Sequence, residues 1–288
     1  MNKRPGRDER ARCAEDTLRI VAEGSYISPS GETVTIKEQV SQAVEQTVVY
    51  RPGMLSELKE TVERRITGAG GGLAEITVTT ETTLEAARRL VAKERVRHAA
   101  ALNFASAKNP GGGFLGGSQA QEESLARSSA LYACIEPQTE MYKYNKGLKS
   151  CLYSDYMIYS PEVPVIREDG GELLDSPYLL SFITAPAVNA GVVREREPGR
   201  TEEIHSVMLE RIRYILSIAA EREHAALVLG AYGCGVFRND PEDVAGYFRQ
   251  VLVQEGYGRL FKRIVFAVYD SSPSQRVLHA FQQKLSHN

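Results

Sequence analysis

The sequence predicts an α/β layered domain built on a central sheet. Short apolar runs alternate with amphipathic stretches through most of the 288 residues. Hydrophobic residues make up 42% and charged residues 25%, the balance of an ordinary globular protein. Two glycine-rich loops each follow an apolar run, where α/β proteins place ligands.

Residues 8–23 are rich in Arg, Glu and Ala around Leu18, Ile20 and Val21, and read as a helix. Ser28 to Gly31 is a turn, after which 37–47 resume a helical pattern. Gly68 to Gly72 marks a loop. Ile76, Val78 and their threonines form a short strand. Residues 82–94 put Leu84, Ala87, Leu90 and Val91 on one helical face. Ala99 to Ala105 is a strand, and Ala120 to Ile135 a helix with Leu125, Ser128, Leu131, Tyr132 and Ile135 on one side. Short strands are expected at Tyr156 to Tyr159 and Val163 to Ile166, and a longer one at Leu179 to Val188. Residues 201–223 form a long helix that buries Ile204, Val207, Met208, Ile212, Ile215 and Leu216. Strands at 226–229 and 264–269 then alternate with helices at 241–254 and 274–285.

Thirty-five basic against 37 acidic residues leave a net charge of −2, so general nucleic-acid binding is not expected. Apolar runs fall short of the ~18 residues a membrane span needs. The basic start, Met1 to Arg7, has no apolar stretch behind it, so no signal peptide is expected. Cysteines at 13, 134, 151 and 234 show no Cys-x-x-Cys spacing, and the five histidines show no metal-type pairing. Reduced thiols in a cytoplasmic protein, without metal or cofactor, follow as the expectation.

The first glycine loop runs Asn109-Pro110-Gly111-Gly112-Gly113, and Gln121-Glu122-Glu123 follow. Three glycines in a row strip Cβ from the backbone, so a ligand can lie on the main chain itself. Gly111, Gly113 and Gly116 also fit a dinucleotide fingerprint. Ser106 to Pro110 intervene between strand and glycines, which argues against an NAD-dependent oxidoreductase. Ser118 and Gln121 have capping-box spacing, which starts the helix near Gln119. Adjacent helix positions point ~100° apart, so Glu122 and Glu123 cannot do the same job. Read alone, the pair is a favourable helix N-terminus with a Glu123–Arg127 ion pair. Beside a ligand-cradling loop, it is a candidate for sugar chemistry.

The second loop is Gly230-Ala231-Tyr232-Gly233-Cys234-Gly235-Val236-Phe237, with Asp240 and Pro241 opening a helix. Amides at 233–236 can converge on an anion. Gly235 is the position expected to leave no room for a Cβ under a diphosphate, and a place where φ can be positive. Cys234 reads as a small buried filler, because no His lies near it in sequence.

The two loops, in this order and with Gln121-Glu122-Glu123 seven residues behind Gly113, resemble the bacterial-type poly(ADP-ribose) glycohydrolases. The resemblance implies a macrodomain-like three-layer sandwich, with a central mixed sheet flanked by helices. Residues 1–94 would be an N-terminal helical extension leading into the sheet, and 95–288 the catalytic core. It implies hydrolysis of ribose–ribose bonds in poly(ADP-ribose), with ADP-ribosylated proteins as substrates and ADP-ribose as product. Glu123 corresponds to the catalytic acid and Glu122 to the neighbour that orients the ribose. Gly111, Gly112 and Gly113 would line the distal ribose and diphosphate, with Gln121 behind them. Gly233, Cys234, Gly235 and Val236 would cradle the diphosphate, and Phe237 would pack on the ribose. Asn109 is a further ribose candidate. Tyr232 departs from relatives that carry Trp there. Two other readings share the same loops: a hydrolase of mono-ADP-ribosyl linkages, and a macrodomain that binds ADP-ribose without cleaving it. Leu179 to Asn189, ending in Thr184 to Asn189, is a strand-to-loop edge that can lie by the adenine or serve as an ordinary core strand and turn.

Overall fold

In the computed structural model, residues 5–68 and 72–286 are described. The chain opens with α1 (Arg7–Glu23), the hairpin β1 (Ser25–Ile27) and β2 (Thr33–Thr35), then α2 (Lys37–Glu45) and β3 (Val48–Tyr50). It continues through α3 (Pro52–Gly68), β4 (Glu75–Thr79), α4 (Thr83–Arg88) and β5 (Ala99–Phe104). After the first glycine loop come α5 (Gln121–Ser128), α6 (Leu131–Ile135), α7 (Thr139–Gly147), β6 (Met157–Arg167) and β7 (Leu173–Ala185). The last third holds α8 (Ala190–Arg196), α9 (Glu203–Glu221), β8 (Ala226–Leu229), α10 (Pro241–Arg249), β9 (Arg263–Ala267) and α11 (Arg276–Leu285).

The main sheet has seven strands in the order β3-β6-β7-β5-β8-β9-β4. β7, β5, β8, β9 and β4 run parallel, while β6 runs antiparallel to both β7 and β3. Alternation in β5 explains why the sheet sits between two helical layers. Ala100 and Leu102 join the core under α3, α8, α9, α10 and α11. Ala99 and Ala101 join the core under α2, α4, α5, α6 and α7. Strands buried on both faces need continuous apolar runs, which is what Ala226–Leu229 supplies. The expected three-layer, macrodomain-like mixed sandwich is the observed one.

Several elements differ from the sequence reading, each for a local reason. The helix expected over Ala120 to Ile135 breaks at Ser129, which is fully extended at φ −148°, ψ 174°. Its hydroxyl donates back to the Leu125 carbonyl, and its backbone pairs with Val165. The pairing is open there because β3 covers only Met157 to Tyr159 of β6. The two strands expected at 156–159 and 163–166 are one strand with a bulge between Ser160 and Val163, where Pro161 interrupts donation to the ladder. β7 starts at Leu173 instead of 179 and ends at Ala185, because Pro186 cannot donate. Residues 1–94, read as a helical lead-in, contribute β3 and β4, the two edge strands of the main sheet. Of the loop expected at Gly68 to Gly72, residues 69–71 lie outside the described residues, and Gly68 ends α3.

The topology gathers four segments at one sheet edge. The chain leaves β5, β7 and β8 there, and the antiparallel β6 enters there, since Ile158 pairs with Thr184 near the end of β7. Ligands in parallel sheets bind outside the carboxyl ends of strands. Among the described residues no helix is long and apolar enough to cross a membrane, no group of His, Cys, Asp and Glu could hold a metal, and all four cysteines are free.

Phe182, toward the C-terminal end of β7, is fully buried. Phe182→Ala is expected to cost about 3–5 kcal/mol in urea unfolding, through the transfer term and the cavity it leaves.

Candidate active site

Asn103 is the residue after Leu102 on β5, so alternation turns it to the face of the sheet that α5 covers. It stands in register with Thr184 on β7, and its amide donates to the Thr184 hydroxyl at 3.1 Å and to Glu122 Oε1 at 3.3 Å. The Ser106 N–H donates to Glu122 Oε2 at 2.6 Å. Glu122 is thus held beneath the first loop and only 2% exposed. Burial pushes its carboxyl up to about 8, against the opposing bonds from Ser106 and Asn103, with the Glu123 charge adding to the rise. The helix N-terminus favours the carboxylate, but here desolvation wins.

Glu123 is partly exposed, one position further round α5. Its Oε1 accepts from the Gly113 N–H at 3.1 Å. A Cβ on Gly112 would overlap that same carboxylate. Gly111 and Gly112 have φ of 68° and 58°, which only glycine adopts without strain. The loop folds on itself through Gly112 N–H to Asn109 O and Phe114 N–H to Gly111 O. Asn109 is exposed beside it. The three glycines therefore do two things at once: they make the turn, and they admit a carboxylate edge-on to the backbone.

Gln121 lies elsewhere in function. Its Oε1 accepts from Phe104 N, and its Nε2 donates to Leu102 O and Thr83 Oγ1. The amide ties α5 to the end of β5 and α4, so it positions the loop instead of facing the cleft. The capping box expected from Ser118 is not formed: the N-cap is Ala120 and the helix begins at Gln121. The Glu123–Arg127 pair is also absent, because Arg127 turns to Ser118 O and Gln119 Oε1.

In the second loop the positive φ falls on Gly233, at 75°, and not on Gly235. A Cβ on Gly233 would meet Ala187 Cβ and Asn239 Nδ2, each at 2.6 Å. Asn239 is buried and donates to Val188 O and Gly233 O, which fastens this loop to the end of β7. Gly235 faces open space, with nothing within 4 Å of a Cβ. The fold itself therefore does not restrict Gly235. Val236 is 80% exposed, an apolar side chain left in solvent on this loop. Phe237 packs on Tyr153, ring centroids 5.9 Å apart. Cys234 is a filler: burial pushes its thiol well above the usual range. Tyr232 is fully buried, with its ring 5.9 Å from that of Phe104. Asp240 caps α10 by accepting from Glu242 N, with Pro241 at the first helical position.

Sequence reasoning missed Asn103, Ser106 and Asn239, and it named Thr184 only in a candidate adenine edge, where it instead steadies Asn103. The alternation at 99–105 indicates the face of Asn103, but its partner depends on the β5–β7 register.

A macrodomain-like sandwich with two carboxylates set against a glycine cradle at the strand ends is the frame of an ADP-ribose hydrolase. The family model described as the microbial-type PARG (poly(ADP-ribose) glycohydrolase) catalytic domain matches residues 14–168. The chain is 44% identical to the structure of poly(ADP-ribose) glycohydrolase from Thermomonospora curvata bound to the inhibitor ADP-HPD, over 96% of this chain and 99% of that one, with a TM-score of 0.88. It is 45% identical to the poly(ADP-ribose) glycohydrolase of Deinococcus radiodurans in complex with ADP-ribose, over 85% of this chain and 96% of that one, with a TM-score of 0.79. No curated protein sequence matches the chain. The chain belongs to the microbial-type poly(ADP-ribose) glycohydrolases, glycoside hydrolases that act on poly(ADP-ribose).

The carboxyl of Glu122 gives a pH signature. Its folded value of about 8 lies above the ordinary 4.5, so the folded chain keeps a proton that the unfolded chain releases. Its contribution to stability is complete below about 4.5 and is lost as pH rises through about 8. Glu122→Gln is expected to remove this slope. In urea unfolding, the variant should gain on the parent by a few kcal/mol between about pH 5 and about pH 8. An unchanged slope would mean that Glu122 is ionised in its buried site.

Proposed function

We propose that Glu123 is the group through which the chain cleaves the ribose–ribose bonds of poly(ADP-ribose), releasing ADP-ribose. The observation that carries this reading is the seat of Glu123 on the Gly112–Gly113 backbone, partly exposed, while Glu122 is closed off beneath it. Of the two carboxyls, Glu123 is the more open to a substrate lying on the cradle.

The protonated Glu123 carboxyl gives its proton to the leaving ribose oxygen as the C1–O bond breaks and the anomeric carbon gains oxocarbenium character. The resulting carboxylate then takes a proton from the water that adds to C1, which restores the acid. Proton donation and water activation are both handled by one side chain, so the scheme has no step for a metal ion. Glu122, held by Asn103 and Ser106, orients the distal ribose from below. Gly111 to Gly113, with Asn109 at the rim, receive that ribose. Amides at 233–236 take the diphosphate, which stabilises the cation beside it, and Phe237 packs on the sugar. The net charge of −2 argues that the chain engages its polymer through these local contacts and not through a general affinity for nucleic acid. The four free thiols fit a reducing, cytoplasmic setting.

Glu123→Ala is expected to reduce release of ADP-ribose from labelled poly(ADP-ribose) by at least ~10²-fold. Calorimetric ADP-ribose affinity should stay within a few-fold, because the glycine loops supply the binding surface. Full activity in Glu123→Ala would remove the assignment. Running mono-ADP-ribosylated protein beside the polymer separates the two linkages.

The second loop makes a paired prediction. Gly235→Val should leave the melting temperature almost unchanged and weaken ADP-ribose binding, since only the ligand fills the space beside it. Gly233→Val should instead lower the melting temperature, because the backbone is left-handed and crowded there. Normal affinity in Gly235→Val would move the diphosphate off this loop.

A further inference from the structure

The segment that joins the glycine cradle to α5 has little holding it from within. Gly116 N and Ser118 N donate to Gly113 O, and Gly117 N donates to Phe114 O, which makes one tight turn. Its carbonyls are taken up from outside by arginines. Arg7 Nε donates to Gly116 O at 2.9 Å, and Arg10 Nε to Gly117 O at 2.8 Å. Arg127 Nη1 donates to Ser118 O at 2.7 Å. Three consecutive carbonyls thus each meet a guanidinium, two of them from α1. Such charge-assisted bonds are about twice as strong as neutral ones.

α1 does not merely graze this turn. Gly117 has φ of 71°, and a Cβ there would overlap the Arg7 carbonyl, so the first turn of α1 lies on the Gly117 backbone. Ala14 of α1, Phe114 of the turn and Ala126 of α5 share a small buried cluster. Further along α1, the Thr17 hydroxyl donates to Arg127 O at 2.6 Å. The helix therefore spans from the glycine turn to the far end of α5. The other side of that turn is the working side, since Gly113 N–H holds the carboxylate of Glu123. Arg7 and Arg10 precede residues 14–168, the part matched by the family model.

We propose that α1 is a brace for the catalytic turn, with Arg7 and Arg10 as positioning residues that set the Gly113–Ser118 backbone, and through it Glu123, without touching substrate. A misplacement of about 1 Å at a reacting group can cost ~10²-fold in rate. Releasing the turn is therefore expected to act on kcat more than on binding, because the diphosphate loop at 233–236 lies on another segment. The inference rests on Glu123 as the reacting group. A parallel Glu123→Ala control separates the two claims: if that variant stays active, the Glu123 assignment fails, whatever α1 does.

The test is the full-length variant Arg7→Ala/Arg10→Ala, assayed well below its melting temperature with the folded fraction measured on the same sample. The expected result is a fall in kcat of about 10-fold or more per folded molecule. KM and calorimetric ADP-ribose affinity should stay within about 3-fold, since the diphosphate loop at 233–236 is untouched. Arg10→Lys keeps one donor and should recover part of the loss. If the double alanine variant does not fold, Arg7→Gln/Arg10→Gln replaces it, and the same split is expected. Two results would overturn the brace. One is a kcat within about 2-fold of the parent in folded protein, which would leave the arginines a purely structural role. The other is a loss of ADP-ribose affinity equal to the loss of kcat, which would mean that the whole cradle, and not the placement of Glu123, depends on α1.

Discussion

A carboxyl buried at the end of β5 is the constraint around which this site is organised. Glu122 is closed off from water, and an uncompensated carboxylate there would be costly. The chain meets that cost with the Ser106 N–H, the Asn103 amide and a carboxyl pushed up to about 8. Each of these needs a specific neighbour. Asn103 faces Glu122 because β5 alternates, and it is steadied by Thr184 because β5 and β7 pair in that register. Gln121 bonds the last residues of β5, which fixes the start of α5 and hence which carboxyl points down and which points out.

The glycines divide their work in a way their spacing does not announce. Gly111, Gly112 and Gly233 are needed by the folded chain itself: their backbones are left-handed, and side chains already occupy the space a Cβ would take. Gly235 has neither constraint. Gly235 is thus free of constraint from the fold, and Val236 beside it is an apolar side chain left in water. Within one short loop, the fold therefore constrains Gly233 and leaves Gly235 free.

Much of the site was legible because its residues are close in sequence. Gly111 to Gly113 and Gln121 to Glu123 lie within one strand–loop–helix unit, and Gly233 to Phe237 within another. Residue types alone raised the possibility of sugar chemistry on a backbone cradle. Local signals also misled. Ser118 and Gln121 have capping-box spacing, yet Gln121 finds better partners on β5 and α4. Ser129 sits in an amphipathic run, yet an open strand edge beside it draws it out of the helix.

By itself the sequence determined the alternation of strands and helices, the two loops and the order of the carboxylates, since these depend on residues within a few positions of one another. Tertiary structure decided which glutamate is buried, what holds it, and that α1 lies on the Gly113–Ser118 turn. Those outcomes depend on contacts between residues far apart in the chain. Arg7 meets Gly116 across 109 positions, and Asn103 meets Thr184 across 81. Desolvation is likewise set by everything packed around a group. Adjacent Glu122 and Glu123 are the same residue type on the same turn of helix, and only the folded surroundings make one a buried acid and the other an accessible one.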